Sequence, residues 1–117
     1  MQSTVLLVDD HDGFRRWARR VLEDEGLRIV AEAADVAQAL DRAQEVQPDI
    51  ALVDVHLPDG DGFGLAEHLA AFDDPPAVVL TSSHDPAELQ PLIARSPARG
   101  FVVKDALSRA AIEALLP

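Results

Sequence analysis

Apolar residues in this chain gather in short runs, and four of those runs end on a chemically active side chain. Val5-Leu6-Leu7-Val8 leads into Asp9-Asp10, and Ile50-Ala51-Leu52-Val53 into Asp54. Ala77-Val78-Val79-Leu80 leads into Thr81, and Phe101-Val102-Val103 into Lys104. Runs this short and continuous suit strands covered on both faces of a parallel sheet. Between them the apolar spacing widens to that of helices. Phe14, Ala18, Val21 and Leu22 form one inner face, and Val36, Ala39, Leu40, Ala43 and Val46 another.

The pattern predicts strand and helix alternating five times. Strands are expected at about Thr4–Asp9, Arg28–Ala33, Asp49–Asp54, Ala77–Leu80 and Gly100–Val103. The first helix is expected to take Asp12 as its cap and to end at Gly26. The second opens on Asp35-Val36-Ala37-Gln38, a capping-box pattern, and stops at Gln47-Pro48. A third covers about Phe63–Phe72, after the turn-rich segment from His56 to Gly62. A fourth starts at Asp85-Pro86-Ala87-Glu88. Pro91 falls inside it, at ~3 kcal/mol for an ordinary helix interior, so it is expected to be short or kinked. The last runs from about Ser108 to Leu116 and packs through Ile112, Leu115 and Leu116.

Five βα units of this length indicate an α/β fold, a doubly wound (βα)5 parallel five-stranded sheet. The flavodoxin-like strand order 2-1-3-4-5 suits it, because strand 2 carries the charged Glu32 and reads as an edge. In such sheets ligands bind beyond the carboxyl ends of the strands, where the strand order reverses. Asp9, Asp10 and Asp54 are therefore expected to be neighbours, with Thr81 and Lys104 at the same edge.

Size and composition narrow the classes. At 117 residues and 48% hydrophobic, the chain supports one domain with one core. It has no cysteine, which excludes a disulfide scaffold, a thiol nucleophile and a zinc–thiolate site. No stretch resembles a signal peptide or approaches the ~18 apolar residues of a membrane span, so the expected location is the cytoplasm and no membrane contact is expected. The net charge is −11, and a duplex-binding surface needs a basic footprint, so direct nucleic-acid binding is not expected. The local basic cluster Arg15, Arg16, Arg19 and Arg20 lies on one predicted helix among acids. Lys104 is the only lysine, against nine arginines. Composition bias does not account for a compact ammonium at that one position.

Three carboxylates within a few ångströms repel one another, each pair by about 1 kcal/mol in bulk water and about 4 at an effective dielectric of 20. A raised pKa or a nearby cation must offset that. Magnesium suits such oxygen ligands and bridges readily to phosphate oxygens. Asp54 stands at a strand end before a Pro/Gly loop that leaves room above it, which makes it the best candidate for attack on a phosphoryl group. The protein's contribution is then in-line positioning and charge neutralisation, with Lys104 on one phosphoryl oxygen and the Thr81 hydroxyl on another.

With those groups assigned, the chain resembles the receiver domain of two-component response regulators, the CheY-like family, over essentially its whole length. The motifs that carry the resemblance are Val8-Asp9-Asp10 and Pro48-Asp49-Ile50-Ala51-Leu52-Val53-Asp54, the latter followed by Leu57-Pro58 and Gly62. The others are Val78-Val79-Leu80-Thr81-Ser82 and Arg99-Gly100-Phe101-Val102-Val103-Lys104. The resemblance implies that Asp54 is the phosphoacceptor for a sensor histidine kinase or phosphotransfer protein. It implies that Asp10 and Asp54 bind Mg²⁺ directly, Asp9 acts mainly through water, and the His56 carbonyl is a backbone ligand. It makes Thr81 the switch hydroxyl, Lys104 the phosphate contact and Phe101 the aromatic coupled to the switch. It also implies a downstream protein or separate output domain as partner, a possible homodimer, and a signalling domain that catalyses only its own phosphotransfer and dephosphorylation.

Two positions depart from the pattern. The Thr81–Lys104 interval is one residue longer than in the family, which either makes Ser82 the alternative switch hydroxyl or puts the extra residue near Pro91 and Pro97. Asp105 replaces the usual proline after the lysine, which removes the ordinary basis for a cis peptide there. No output domain follows Pro117, so residues 1–117 are expected to form a single receiver, stand-alone or truncated. A haloacid-dehalogenase-type phosphatase needs a second Asp where this chain has His56. A pseudo-receiver would lack acceptor residues that are present here, and an FMN carrier needs a phosphate loop where Asp10-His11-Asp12 stands. His56 and His84 read as solvated loop residues. Trp17 is expected to pack on the last helix, with a contact surface as the alternative.

Overall fold

The computed structural model describes residues 3–83 and 86–117. Its main sheet has five parallel strands: β1 (Thr4–Val8), β2 (Arg28–Ala33), β3 (Ile50–Asp54), β4 (Ala77–Ser82) and β5 (Gly100–Val103). Their order is β2-β1-β3-β4-β5, as the alternating pattern predicts. β2 forms the polar edge, and β3 is buried along its whole length. Among the described residues each strand is followed by an α-helix: α1 (Asp12–Asp24), α2 (Val36–Val46), α3 (Gly62–Ala70), α4 (Gln90–Arg95) and α5 (Arg109–Glu113).

Apolar alternation along the strands splits the core into two layers. On one face Leu6, Val8, Ala51, Val53, Val78 and Leu80 pack beneath α2 and α3, with Leu89, Ile93 and Phe101 at the margin. On the other face Val5, Leu7, Leu52, Val79 and Val102 meet Ala18 and Leu22 of α1 and Ile112 of α5. β1 and β3 are thus covered on both sides, which explains their continuous apolar reading.

Local signals set most element ends. Gly26 follows α1 at φ +95°, a backbone conformation that suits glycine. Asp35 caps α2 by accepting from Gln38 N–H at 2.8 Å, while Gln38 Oε1 accepts from Ala34 N–H at 3.0 Å. Asp59 reaches across from the segment after β3 and accepts from Val36 and Ala37 N–H at 2.7 and 3.1 Å. Those two bonds hold its carboxyl below the usual carboxylate range, against a smaller upward pull from burial. The turn-rich segment forms a small antiparallel hairpin, His56–Leu57 against Gly60–Asp61. Gly62 then donates to the Val55 carbonyl at 2.8 Å, and a Cβ on it would lie 2.6 Å from the Asp54 carbonyl oxygen. Only glycine lets α3 start this close to the end of β3.

Several expectations are corrected. Asp12 is the first residue of α1, not its cap; His11 takes the cap position and makes no side-chain capping bond. The Asp12 carboxylate is held by Arg15 instead. Pro91 does not interrupt a helix interior. A 3-10 turn over Pro86–Leu89 precedes α4, so Pro91 falls in the first helical turn, where its missing N–H costs nothing. The expected cap Asp85, like His84, lies outside the described residues. Ser108 caps α5 through Ala111 N–H, but α5 ends at Glu113, and Leu115 and Leu116 pack from beyond it. Trp17 is 42% exposed and meets the ring of Phe14 at 5.8 Å. No helix of the described residues is long and apolar enough to cross a membrane.

Candidate phosphoryl and metal site

β1 delivers Asp9 to the carboxyl edge of the sheet, where its backbone N–H donates to the Ala33 carbonyl at 3.0 Å. β3 delivers Asp54, paired in register with Thr81 of β4. β5 ends one residue before Lys104, which opens a 3-10 turn over Lys104–Ala106. Lys104 reaches back across the edge. Its Nζ lies 2.6 Å from Oδ2 of Asp9 and 3.1 Å from Oδ2 of Asp54, with the Phe14 ring centroid at 4.5 Å. Asp9 and Asp54 are only 2% and 3% exposed, so these are buried charges that must be compensated within the fold.

The remaining carboxylate oxygens have unequal partners. Asp54 Oδ1 accepts from His56 N–H at 3.1 Å. Asp9 Oδ1 accepts from His11 N–H at 2.8 Å, and His11 Nδ1 lies at the same distance. Asp9 Oδ2 has the Lys104 ammonium as an ion contact, but that approach lies outside hydrogen-bond geometry and no hydrogen bond reaches this buried oxygen. Asp10 is exposed, with Oδ1 3.2 Å from His11 Nδ1. Arg15 donates to the Asp9 carbonyl and at 3.1 Å to Glu32 Oε1. It thereby fastens the loop after β1 to the edge strand.

Burial raises the Asp54 pKa above its ordinary value. The His56 N–H opposes that, the Asp9 charge adds to it, and Lys104 pulls it back down. Burial also pulls Lys104 down, but contact with Asp9 and the charges of Asp54 and Asp9 outweigh it, so its pKa is raised overall. The ammonium is therefore held charged between two acids, and it does not fully neutralise them. One donor atom each from Asp9, Asp10, His11 and Asp54 falls within 4.8 Å of all the others, a spacing that suits one divalent ion.

The structure thus brings together Asp9, Asp10, Asp54 and Lys104, with Thr81 beside Asp54. Thr81 and Ser82 are both buried, at the last two positions of β4. Phe101 is half-buried against the layer that holds α4, one strand from Leu80. The His56 side chain is exposed and its N–H meets Asp54. The residue that sequence reasoning missed is His11. The signal was its place directly after an acidic pair at a strand end. That place was read only as unsuitable for a phosphate loop.

Residues 5–116 match the model of the response regulator receiver domain family. The chain is 42% identical over 104 residues to the DNA-binding transcriptional activator DevR/DosR of Mycobacterium tuberculosis, covering 86% of this chain and 47% of that protein. It thus spans about half the length of this relative. The receiver domain of the putative response regulator NarL from Mycobacterium tuberculosis superposes with a TM-score of 0.87 at 30% identity, covering 97% of this chain and 96% of that one. The CheX–CheY–BeF3–Mg²⁺ complex from Borrelia burgdorferi superposes with a TM-score of 0.82 at 26% identity, covering 97% and 86%.

Proposed function

This chain belongs to the response regulator receiver family, and from that premise we propose that Asp54 accepts a phosphoryl group from a phosphohistidine of a sensor kinase or phosphotransfer protein. The single observation that carries the assignment to Asp54 is its position. It is a buried carboxylate at the end of the central strand, 3.1 Å from the only lysine and in register with Thr81. One Asp54 oxygen attacks phosphorus, the phosphorus–nitrogen bond of the donor breaks, and the electron pair leaves with the imidazole. Lys104 then trades its contact with Asp54 for a phosphoryl oxygen, and its second tether at Asp9 keeps the ammonium in place for that exchange.

The donor set fits a hard divalent cation, and the buried Asp9 Oδ2 without a hydrogen bond is the atom most in need of one. Asp10, Asp54 and the His56 carbonyl would hold Mg²⁺, with Asp9 acting through water. When bound, Mg²⁺ supplies the positive charge that lets a phosphoryl group approach these acids.

The added phosphoryl group carries about −1.5 to −2 charges. It draws the Thr81 hydroxyl toward Asp54, with Ser82 as the alternative, and Phe101 on the neighbouring strand follows. The 3-10 turn and α4 then shift, and the altered surface of α4, β5 and α5 is read by an output segment or a second receiver. A cytoplasmic setting, where kinase and receiver meet, goes with this reading.

Acetyl phosphate with Mg²⁺, read by intact mass, tests it. Wild type gains about 80 Da, the mass of one phosphoryl group, and Asp54→Asn gains none. Labelling of the Asn variant, or of neither protein, overturns the assignment. In the same labelled sample, deuterium exchange should change over residues 86–97 and not along β1.

A further inference from the structure

The function proposed above leaves one side chain of the acidic pocket unused. His11 stands between the two elements that the pocket joins, at the cap position of α1, yet it caps nothing. Its Nδ1 faces inward, 2.8 Å from Asp9 Oδ1, 3.2 Å from Asp10 Oδ1 and 3.9 Å from Asp54 Oδ2. The rest of the ring is open to solvent, with the side chain 66% exposed. Donor atoms at right angles around an ion with bonds of about 2.1 Å lie about 3.0 Å apart. The two shorter separations already match that edge length, and the third is longer by less than an ångström. A second observation points to an ion here. Asp9 Oδ2, on a residue 2% exposed, receives no hydrogen bond and has only the ion contact with Lys104 at 2.6 Å to offset its burial.

We infer that His11 is a further direct side-chain ligand of this pocket, beside Asp10 and Asp54, and that through its Nδ1 the chain binds first-row transition dications more tightly, relative to Mg²⁺, than an all-oxygen site would. The chemistry follows from the donor. Carboxylate and carbonyl oxygens suit Mg²⁺, whereas imidazole suits later first-row dications such as nickel and zinc, and affinity for such sites rises from cobalt through nickel to copper before it falls at zinc. On binding, the contact between Nδ1 and Asp9 Oδ1 gives way to a cation that Nδ1 holds directly and Asp9 through water. The cost in ordering is small, because Nδ1 is already placed and only the exposed face of the ring meets water. This inference rests on the Mg²⁺ site proposed above.

Isothermal titration calorimetry of the unphosphorylated chain with Co²⁺ and with Mg²⁺ tests it, on wild type, His11→Ala and His11→Gln. The Co²⁺ visible absorption spectrum serves as a second readout. Both variants should lower Co²⁺ affinity at least tenfold, change Mg²⁺ affinity less than threefold, and alter the spectrum of bound Co²⁺. Asp10→Asn retains every histidine and should weaken both ions, which separates the pocket from binding at His56 or His68. If the Co²⁺-to-Mg²⁺ ratio changes less than threefold in folded His11 variants, His11 is not a ligand, and a Mg²⁺ response in wild type leaves the phosphoacceptor reading intact. If wild type binds neither ion, both proposals fail.

Discussion

The two halves of this molecule are built to different standards. From β1 to α3 the helices are longer. α1 has 13 residues, and α2 has 11 with three N-terminal N–H groups taken by Asp35 and Asp59. From β4 onward the helices shrink to six residues in α4, none of them buried, and five in α5, each approached through a 3-10 turn. The carboxylates belong to the firm half, the hydroxyls and the lysine to the other. Buried acids that repel one another need rigid support, since any slack would let them splay apart. The groups that answer a new charge need the opposite, because switching elements come from the low-stability end of a fold.

Lys104 is the tie between the halves, so its removal should have the largest effect. Lys104→Met keeps the length of the stem but takes the ammonium from over the Phe14 ring and leaves Asp9 and Asp54 buried without their counter-ion. Taking one partner from a buried ion group typically costs ~3–5 kcal/mol. A urea melt in EDTA should show that loss as a lower midpoint with an unchanged slope. Saturating Mg²⁺ should restore part of it, since an ion that binds only the folded state stabilises by mass action. A variant as stable as wild type in EDTA would mean that the pocket balances its charge without the second half.

A pair of leucines sharpens the same contrast. Leu52 in β3 is 2% exposed, and Leu92 in α4 is 48% exposed. Leu52→Ala should cost ~2–5 kcal/mol through lost burial and a residual cavity. Leu92→Ala should stay within ~0.5 kcal/mol, as surface changes do. Thermal melts of the two proteins side by side measure the difference. Similar losses would show that α4 is as firmly built in as the central strand.

What the sequence disclosed follows the same division. The strands that carry Asp9 and Asp54 were legible because β1 and β3 are buried on both faces, which forces an unbroken apolar run. The Asp35 cap was legible because its acceptor and donor lie three residues apart. Asp59 was not, since it caps a helix 22 and 23 residues away in the chain. Asp12 misled because an acid before a helix reads as a cap, and here Arg15 claims it. Pro91 misled because periodicity alone does not show where a 3-10 turn hands over to an α-helix. His11 escaped because one histidine has no period and no fixed partner. Its meaning depends on Asp54, which lies 43 positions further along the chain.

The finest test concerns the charge that the firm half is obliged to carry. The Asp54 pKa is raised in the folded state, chiefly by burial, so the native protein holds this proton more tightly than the unfolded chain does. Between the unfolded and folded pKa values the native state therefore binds more protons, and stability falls as pH rises through that window. Above it the ionised carboxylate exerts its full cost. Asp54→Asn should then raise the melting temperature at pH 7 in EDTA by about 2–5 °C, the shift that ~1 kcal/mol produces in a domain of this length. The gain should fade toward zero as the pH drops below the ordinary carboxylate range. Lys104 cannot mimic this, because its raised pKa keeps its stabilisation intact at acid and neutral pH and surrenders it only on the alkaline side. A melting-temperature difference that stays flat across the acid range would mean that Asp54 is as well solvated folded as unfolded. The central strand would then hold its acid without strain, and the contrast between the halves would rest on packing alone.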